Sequence, residues 1–428
     1  MDRRLQRRFE ILVHEHLHAA NGLANGLSAL PGAGTAFAST QAAWRFYNNE
    51  AVSLEGLIQP LQEAGRLALS TSDADWALIV HDWSTLSYGD HDSKKDRARL
   101  THKHDVGYEL STALLVDTGK GCPLAPMELR LRAARAVHST RQPAPRKSAK
   151  RLDQLLPTME ASRNWNLSLP VVHVIDREAD SVGHFRQWQA AGHHFLVRAD
   201  DVRTVRWNDE KYALPAIVKK LEKQGVFRET RTVCYHGREA QQWIAETTVV
   251  LDRAAKRRTS RGRREIPGPP LSLRLIVSQV RAADGELLAQ WLLFTNLPQN
   301  VAAERVAVWY YWRWRIESYF KLLKSAGQNL EDWRQTNAAA IARRLLVASM
   351  ACVAVWLLAH DESPLAEDFR LLLVRLSGRQ MKWGRPWTAP ALLAGMWTLL
   401  AMLDLLEHHD LKHLRRLAAQ FIPFTDTS

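Results

Sequence analysis

The chain has 428 residues, 46% of them hydrophobic, and carries 58 lysines and arginines against 45 aspartates and glutamates, a formal charge of +13. That length provides for two to four domains with an ample core, and that charge favours a polyanionic partner, of which nucleic acid is the commonest in a soluble protein. Cys122, Cys234 and Cys352 are odd in number and far apart, which excludes a disulfide framework and a cysteine zinc spacing and fits a reducing cytoplasm.

Residues 1–70 read as helical. Arg3, Arg4, Arg7 and Arg8 lead a periodic apolar pattern at Phe9, Leu12, Val13 and Leu17, with breaks at Asn21-Gly22, Asn25-Gly26 and Pro31-Gly32. A second helix is expected from a Ser39-Thr40 cap through Trp44, Arg45, Phe46 and Tyr47. A small helical domain with a basic leading edge suits a DNA reader, with plain packing as the alternative. The run His14-Glu15-His16-Leu17-His18 matches H-E-x-x-H, where histidines one helical turn apart can hold zinc. The pattern is short in a chain with 17 histidines, and zinc is not expected there.

The apolar run 76–80 reads as a buried strand that stops at His81-Asp82 and so delivers a carboxylate to a sheet rim. A charged loop spans 89–106, followed by strands at 110–116 and 124–131, a basic linker at 143–151 and an amphipathic helix at 152–165. The next apolar strand, 171–175, also ends on a carboxylate, in Asp176-Arg177-Glu178-Ala179-Asp180. Two such strands with an alternating sheet between them fit a ribonuclease-H-like core, with Asp176 the expected ligand and Asp180, one helical turn on, its rival. A strand at 195–197 leads to Arg198. Longer alternating runs follow at 227–235, 243–251 and 271–280, and Asp284-Gly285 marks a hairpin into 287–295. The basic tip 256–264, KRRTSRGRR, reads as disordered or as a phosphate grip.

Residues 310–324, YYWRWRIESYFKLLK, carry the densest chemistry. On one α-helix, Tyr310, Arg313, Glu317, Lys321 and Lys324 fall within roughly 80° of arc, with Trp314 at the edge. Such a stripe is too charged to face a core unpaired, and cations interleaved with aromatic rings suit a nucleic-acid groove. A solvated face with a Glu317–Lys321 pair is the plainer reading. Gly327 is the expected stop. Beyond 340 the chain reads as helical and apolar, with breaks at Glu362-Ser363-Pro364 and around 378–386. Its longest uncharged run, 345–359, falls short of the ~18–20 residues of a membrane span, so no membrane partner is expected. The N-terminus has no signal-type apolar core, and a cytoplasmic, nucleoid-associated protein is expected.

The spacing Tyr310, Arg313, Glu317, Lys324 resembles the Y-R-E-K signature of bacterial cut-and-paste transposases of the insertion-sequence-four type, whose glutamate completes a DDE triad. The segments TQAAWRFYNNEAVS at 40–53, Asp82 with Ser84 to Tyr88, and DREAD at 176–180 are similar to the family's text as well. The resemblance covers nearly the whole chain and is weakest beyond 345; family members often carry a few residues upstream of this chain's opening. It implies an α/β fold: a helical DNA-end-binding domain at 1–70, a ribonuclease-H-like core at 71–200 and 289–345, an inserted β-rich domain at 201–288 and a helical dimerisation region at 346–428.

By the same resemblance, Asp82, Asp176 and Glu317 are the catalytic metal ligands. Arg198, Tyr310, Arg313, Lys321 and Lys324 would contact DNA, while Trp291 and Trp314 would hold a base flipped out of the duplex. Oxygen-only ligands favour Mg²⁺ or Mn²⁺, two per site, for in-line phosphoryl transfer. The implied events are nicking, hairpin formation, hairpin opening and joining to target DNA within a homodimer on double-stranded DNA. A nuclease or resolvase that cuts without joining, and an inactive DNA-binding relative, are the alternatives.

Overall fold

A computed structural model describes residues 1–18, 36–100, 105–146, 150–259, 262–382 and 384–421. The expected breaks at Asn21-Gly22, Asn25-Gly26 and Pro31-Gly32 lie outside the described residues, as do 101–104 in the charged loop, 147–149 in the basic linker and 260–261 in the basic tip.

Three helices open the chain, α1 (Arg3–His18), α2 (Ala36–Asn48) and α3 (Leu54–Ser70). α2 begins before the expected Ser39-Thr40 cap. α3 takes Ser53 as its cap, whose Oγ accepts the Gly56 N–H at 3.0 Å and fills one of the orphan donors of a first turn.

The sheet begins with β1 (Ala77–Ser87), β2 (Ala98–Arg99), β3 (Val106–Asp117), β4 (Pro123–Arg132), β5 (Val137–Ser139) and β6 (Gln142–Arg146). β1, β3, β4, β5 and β6 are successive antiparallel neighbours, and β2 pairs with β3. α4 (Leu155–Ser162) then leads to β7 (Val171–Ile175), parallel to β1 on its other side, and α5 (Val182–Ala190) leads to β8 (His194–Arg198), parallel to β7. β7 matches the expected apolar run and is buried as a central parallel strand should be. β1 does not stop at Asp82 as expected. It continues through Ser87 because β3 pairs with it along its whole length, from Ala77 opposite Asp117 to Ser87 opposite Gly107.

The next elements are β9 (Thr204–Trp207), β10 (Glu210–Ala213), α6 (Leu214–Lys223), β11 (Arg228–Tyr235), β12 (Arg238–Leu251), β13 (Ala255–Thr259), β14 (Gly262–Ile266), β15 (Leu271–Arg281) and β16 (Leu287–Thr295). Most of these strands extend the same sheet, whose order is β10-β9-β12-β15-β16-β8-β7-β1-β3-β4-β5-β6, with β11 on β12. Gly285, at φ +87°, makes the expected hairpin between β15 and β16. β13 and β14 pair as a separate hairpin, so the basic tip is carried on paired strands.

α7 (Ala303–Trp312) and α8 (Arg315–Leu323) are followed by α9 (Ala338–His360), α10 (Pro364–Leu376), α11 (Ala389–His408) and α12 (Leu411–Phe421). The result is a mixed α/β fold with a large central sheet flanked by helices. α9 and α11 are each long and apolar enough to cross a membrane; α9 is mostly buried among α1, α3 and β4, whereas α11 exposes Met402, Leu403, Leu405 and Leu406.

One correction concerns charge. Lys94, placed in an exposed loop by sequence, is fully buried and donates to the Trp333 carbonyl at 2.7 Å, with His91 Nδ1 at 2.9 Å. The H-E-x-x-H stretch serves packing: His16 lies 2.7 Å from Gln328 Oε1 and 3.3 Å from the Tyr47 hydroxyl, and Glu15 is buried with Oε2 unpartnered. Burial pushes the Glu15 carboxyl up to about 7, partly offset by Arg8.

Glu15→Gln tests that burial. The folded chain binds more protons than the unfolded chain between the ordinary glutamate value and about 7, so wild-type stability falls as pH rises through that window. The variant should gain ~1–3 kcal/mol over wild type between pH 4 and pH 8 in urea unfolding; a pH-independent difference contradicts the assignment. Gly121→Ala probes the turn between β3 and β4, where φ is +67° and a Cβ would overlap the Trp312 indole. It should cost ~3 kcal/mol or more, against ~1 kcal/mol for Gly285→Ala, whose Cβ meets open space.

Candidate active site

The β1/β7 register sets the site. His81 lies opposite Ile175, so the next residues along the two parallel strands are Asp82 and Asp176, side by side as β7 ends. Asp82 remains within β1 and accepts the Trp83 N–H at 2.8 Å. Asp176 leaves the sheet and caps the short 3₁₀ turn Arg177–Ala179, accepting the Arg177 N–H at 2.7 Å.

The third carboxylate comes from the helical pair. Residues 310–324 do not form one helix: α7 ends at Trp312, and the junction closes through three-residue bonds, Arg313 N–H to Tyr310 O at 3.0 Å and Ile316 N–H to Arg313 O at 3.2 Å. The tighter winding leaves Arg313 pointing inward. Its Nη1 donates to Asp82 Oδ2 at 3.0 Å and its Nη2 to Glu317 Oε1 at 2.6 Å, while the Tyr310 hydroxyl donates to Asp176 Oδ1 at 3.0 Å. Arg313 is only 4% exposed, and Tyr310 is also buried. Arg313 and Tyr310 thus turn inward, but not unpaired: the Asp82 and Asp176 carboxylates meet them there, while Lys321 of the same stripe stays exposed.

Electrostatics separate the two aspartates. Burial pushes the Asp82 carboxyl up to about 6; Arg313 and the Trp83 amide oppose this, and Asp176 and Glu317 reinforce it. Burial would raise Asp176 as well, but the Arg177 amide, Arg313, the Tyr310 hydroxyl and Arg198 together hold it below the ordinary value. Burial, then the Asp176 charge, pushes the Tyr310 phenol up.

Asp180, the rival ligand, is committed elsewhere. Its carboxylate is forked by Arg203, with Nε at 2.9 Å, and accepts the Asp200 N–H at 2.8 Å. Lys324 closes α8 by donating to the Thr85 carbonyl and pairs with Glu331 at 3.3 Å, so it braces β1 in this structure. The helix stops there, before Gly327, which packs against the Leu322 carbonyl. Lys321 is exposed. Arg198 ends β8 with its Nε buried and unpartnered.

Beside the carboxylates lies a cavity of about 750 Å³ lined by Tyr235, Trp291, Tyr310, Tyr311 and Trp314. Trp291 meets Tyr235 edge-on, and Trp314, 53% exposed, packs its ring 5.1 Å from the Arg313 guanidinium carbon. Arg231, Lys382 and Arg385 also line it and were missed from sequence; the alternation of cations with tryptophans at 379–387 was the available signal.

The donor set suits a hard divalent cation: all oxygen, with Asp176 Oδ2 and Glu317 Oε2 free of protein donors among the described residues. Asp82, Asp176 and Glu317 are the side chains that would hold it. In the arrangement described, the Arg313 guanidinium stands between Asp82 and Glu317, and among the described residues no three His, Cys, Asp or Glu side chains group closely enough to ligate one ion.

Residues 77–352, well over half of the chain, match the family model described as transposase DDE domain. Among solved structures, the chain is similar to a cryo-EM structure of the piggyBac transposase synaptic complex with hairpin DNA. The identity is 8% and the TM-score 0.38, over 98% of this chain and 76% of that one, too slight a likeness to place any element. No curated protein matches the chain.

Substitution distinguishes the two aspartates after β7. Asp180→Asn, which leaves the buried Arg203 without its counter-charge, should cost ~3–5 kcal/mol in urea unfolding, whereas Asp176→Asn, in a cluster already rich in negative charge, should change stability by less than ~1 kcal/mol. Equal losses would contradict the division of roles.

Proposed function

The chain belongs to the family of the transposase DDE domain, and from that premise we propose that it is a DNA transposase in which Asp82, Asp176 and Glu317 form the reacting centre. One observation carries the reading: a buried arginine bridges the strand carboxylate Asp82 to the helix carboxylate Glu317, while Tyr310 of the same helical pair bonds Asp176. Five side chains from three remote segments, at 82, 176 and 310–317, meet where two adjacent parallel strands lie side by side. The sequence of three antiparallel strands, β1, β3 and β4, followed by β7 and β8 parallel to β1, supports a ribonuclease-H-like core of the insertion-sequence-four type.

The family works with divalent metal ions, and Mg²⁺ or Mn²⁺ held here, two per site in this reading, would activate the attacking oxygen and stabilise the leaving one in an in-line displacement. The chain's own residues do the rest. Asp82 would be kept ionised by a cation held there. Arg313, replaced as their counter-charge, would turn its guanidinium from Asp82 and Glu317 to a phosphate of the element's end. Tyr310 hydrogen-bonds a neighbouring phosphate, and Lys321, Lys324 and Arg198 add positive charge along the strand. Trp291 and Trp314 take an extruded base between their rings, and the size of the aromatic cavity suits that role. Cleavage, hairpin formation and joining to target DNA follow in a homodimer, each step using the same three carboxylates.

Glu317→Gln should leave binding of a labelled end duplex nearly intact and lower Mg²⁺-dependent cleavage by at least ~10³-fold, as loss of a group acting only in the transition state does. Cleavage that survives the substitution rules out this triad, and cut but never joined product favours a nuclease. Trp291→Ala should impair hairpin formation more than first-strand nicking; equal loss of both counts against a base-holding role.

A further inference from the structure

A second cationic recess lies across the sheet from the aromatic cavity. It is a cavity of about 480 Å³ where β4, β5 and β6 meet α3 and α4, and Arg130, Arg141 and Arg146 line it together with Gln62, Gln154 and Asn164. No carboxylate is among its lining residues. Beneath it, Glu128 is fully buried and faces two guanidinium groups, Arg130 Nε at 3.3 Å and Arg141 Nε at 3.0 Å, with the Thr158 hydroxyl donating at 3.0 Å.

One carboxylate against two guanidiniums leaves the wall of the recess positive, and Arg146 adds to the excess from exposed β6. The Arg130 side chain is only a tenth exposed, so its charge sits where little water screens it. Arg141 Nε lies off line from Glu128 and makes no hydrogen bond. An anion entering the recess would meet paired, partly oriented guanidiniums, the arrangement that best matches phosphate oxygens.

The recess lies on the face of the sheet opposite the carboxylate centre: the register puts Arg130 on one face with His81 and Trp83, and Asp82 points to the other. Arg130 also lines a small crevice with His81, Asp82 and Trp83. The strand register sets Trp83 opposite Ser111 and Ser111 opposite Arg130, so two strand spacings, about 10 Å, separate Arg130 from the residue after Asp82.

We infer that this recess binds a backbone phosphate of the DNA, away from the carboxylate centre. The inference rests on the proposed function. A nucleic-acid phosphate is favoured over a free one because Arg146, which lines the recess, is exposed and is followed by exposed Lys150.

The test uses the full chain and a short fluorescein-labelled duplex, with affinity followed by anisotropy as KCl is raised. Arg141→Gln and, because it is exposed and cannot disturb the core, Arg146→Gln should each weaken binding ~3–10-fold and make the salt slope shallower by about 0.9, the loss of one phosphate contact. Unchanged affinity and slope in both variants, each melting as wild type does, overturns the inference while leaving the transposase reading in place. Wild-type protein that binds no duplex overturns both. Inorganic phosphate provides the second arm: a rise in wild-type melting temperature that Arg141→Gln abolishes, without any change in the DNA salt slope, assigns the recess to free phosphate and overturns the nucleic-acid assignment.

Discussion

A single buried guanidinium holds the centre of this protein together. Arg313 ties Asp82, fixed in the sheet, to Glu317, fixed on α8, and neither carboxylate could be buried so closely beside Asp176 without it. An unpaired charge in the interior costs several kcal/mol, so the fork and the carboxylates require each other. Three carboxylates against one guanidinium still leave the centre negative. The Asp82 carboxyl, raised to about 6 by burial and by its neighbours, reports that surplus, and a divalent cation is the species that would relieve it.

The scaffold around the fork keeps its parts in register. β3 runs the full length of β1 and holds the Asp82 backbone in an extended line, while the shorter β7 ends one residue earlier and lets Asp176 turn out of the sheet. On the helical side, the three-residue bonds at Arg313 break what would otherwise be one helix, and Gly121 gives the Trp312 ring room to pack at that break. Lys324 fastens the far end of α8 to β1 through the Thr85 carbonyl. Both ends of the short helix carrying Glu317 are thus anchored to the strand carrying Asp82. An aromatic, cation-edged cavity lies beside this centre, and an arginine-lined recess lies on the other face of the sheet.

Much of this was legible in the sequence because the relevant signals are local. The apolar run 171–175 marked β7 to the residue, and Asp284-Gly285 marked the β15–β16 hairpin, since both depend on neighbours within a few positions. The extension of β1 past Asp82 was not legible: Trp83 to Ser87 become strand only because β3 pairs with them from more than twenty residues away. The helix break at Arg313 was hidden because periodicity across 310–324 is unbroken, and the break comes from carboxylates on distant strands. Lys94 was misplaced for the same reason, its burial depending on the Trp333 carbonyl, and Arg231, Lys382 and Arg385 escaped notice because two remote segments bring them to one cavity.

The most direct measurement is anomalous diffraction from crystals of the full chain soaked with Mn²⁺. The account predicts manganese peaks between Asp82, Asp176 and Glu317, with the Arg313 guanidinium swung away from at least one of the two carboxylates it bridges. Manganese bound only elsewhere, with the Asp82–Arg313–Glu317 fork intact at saturating metal, would contradict it.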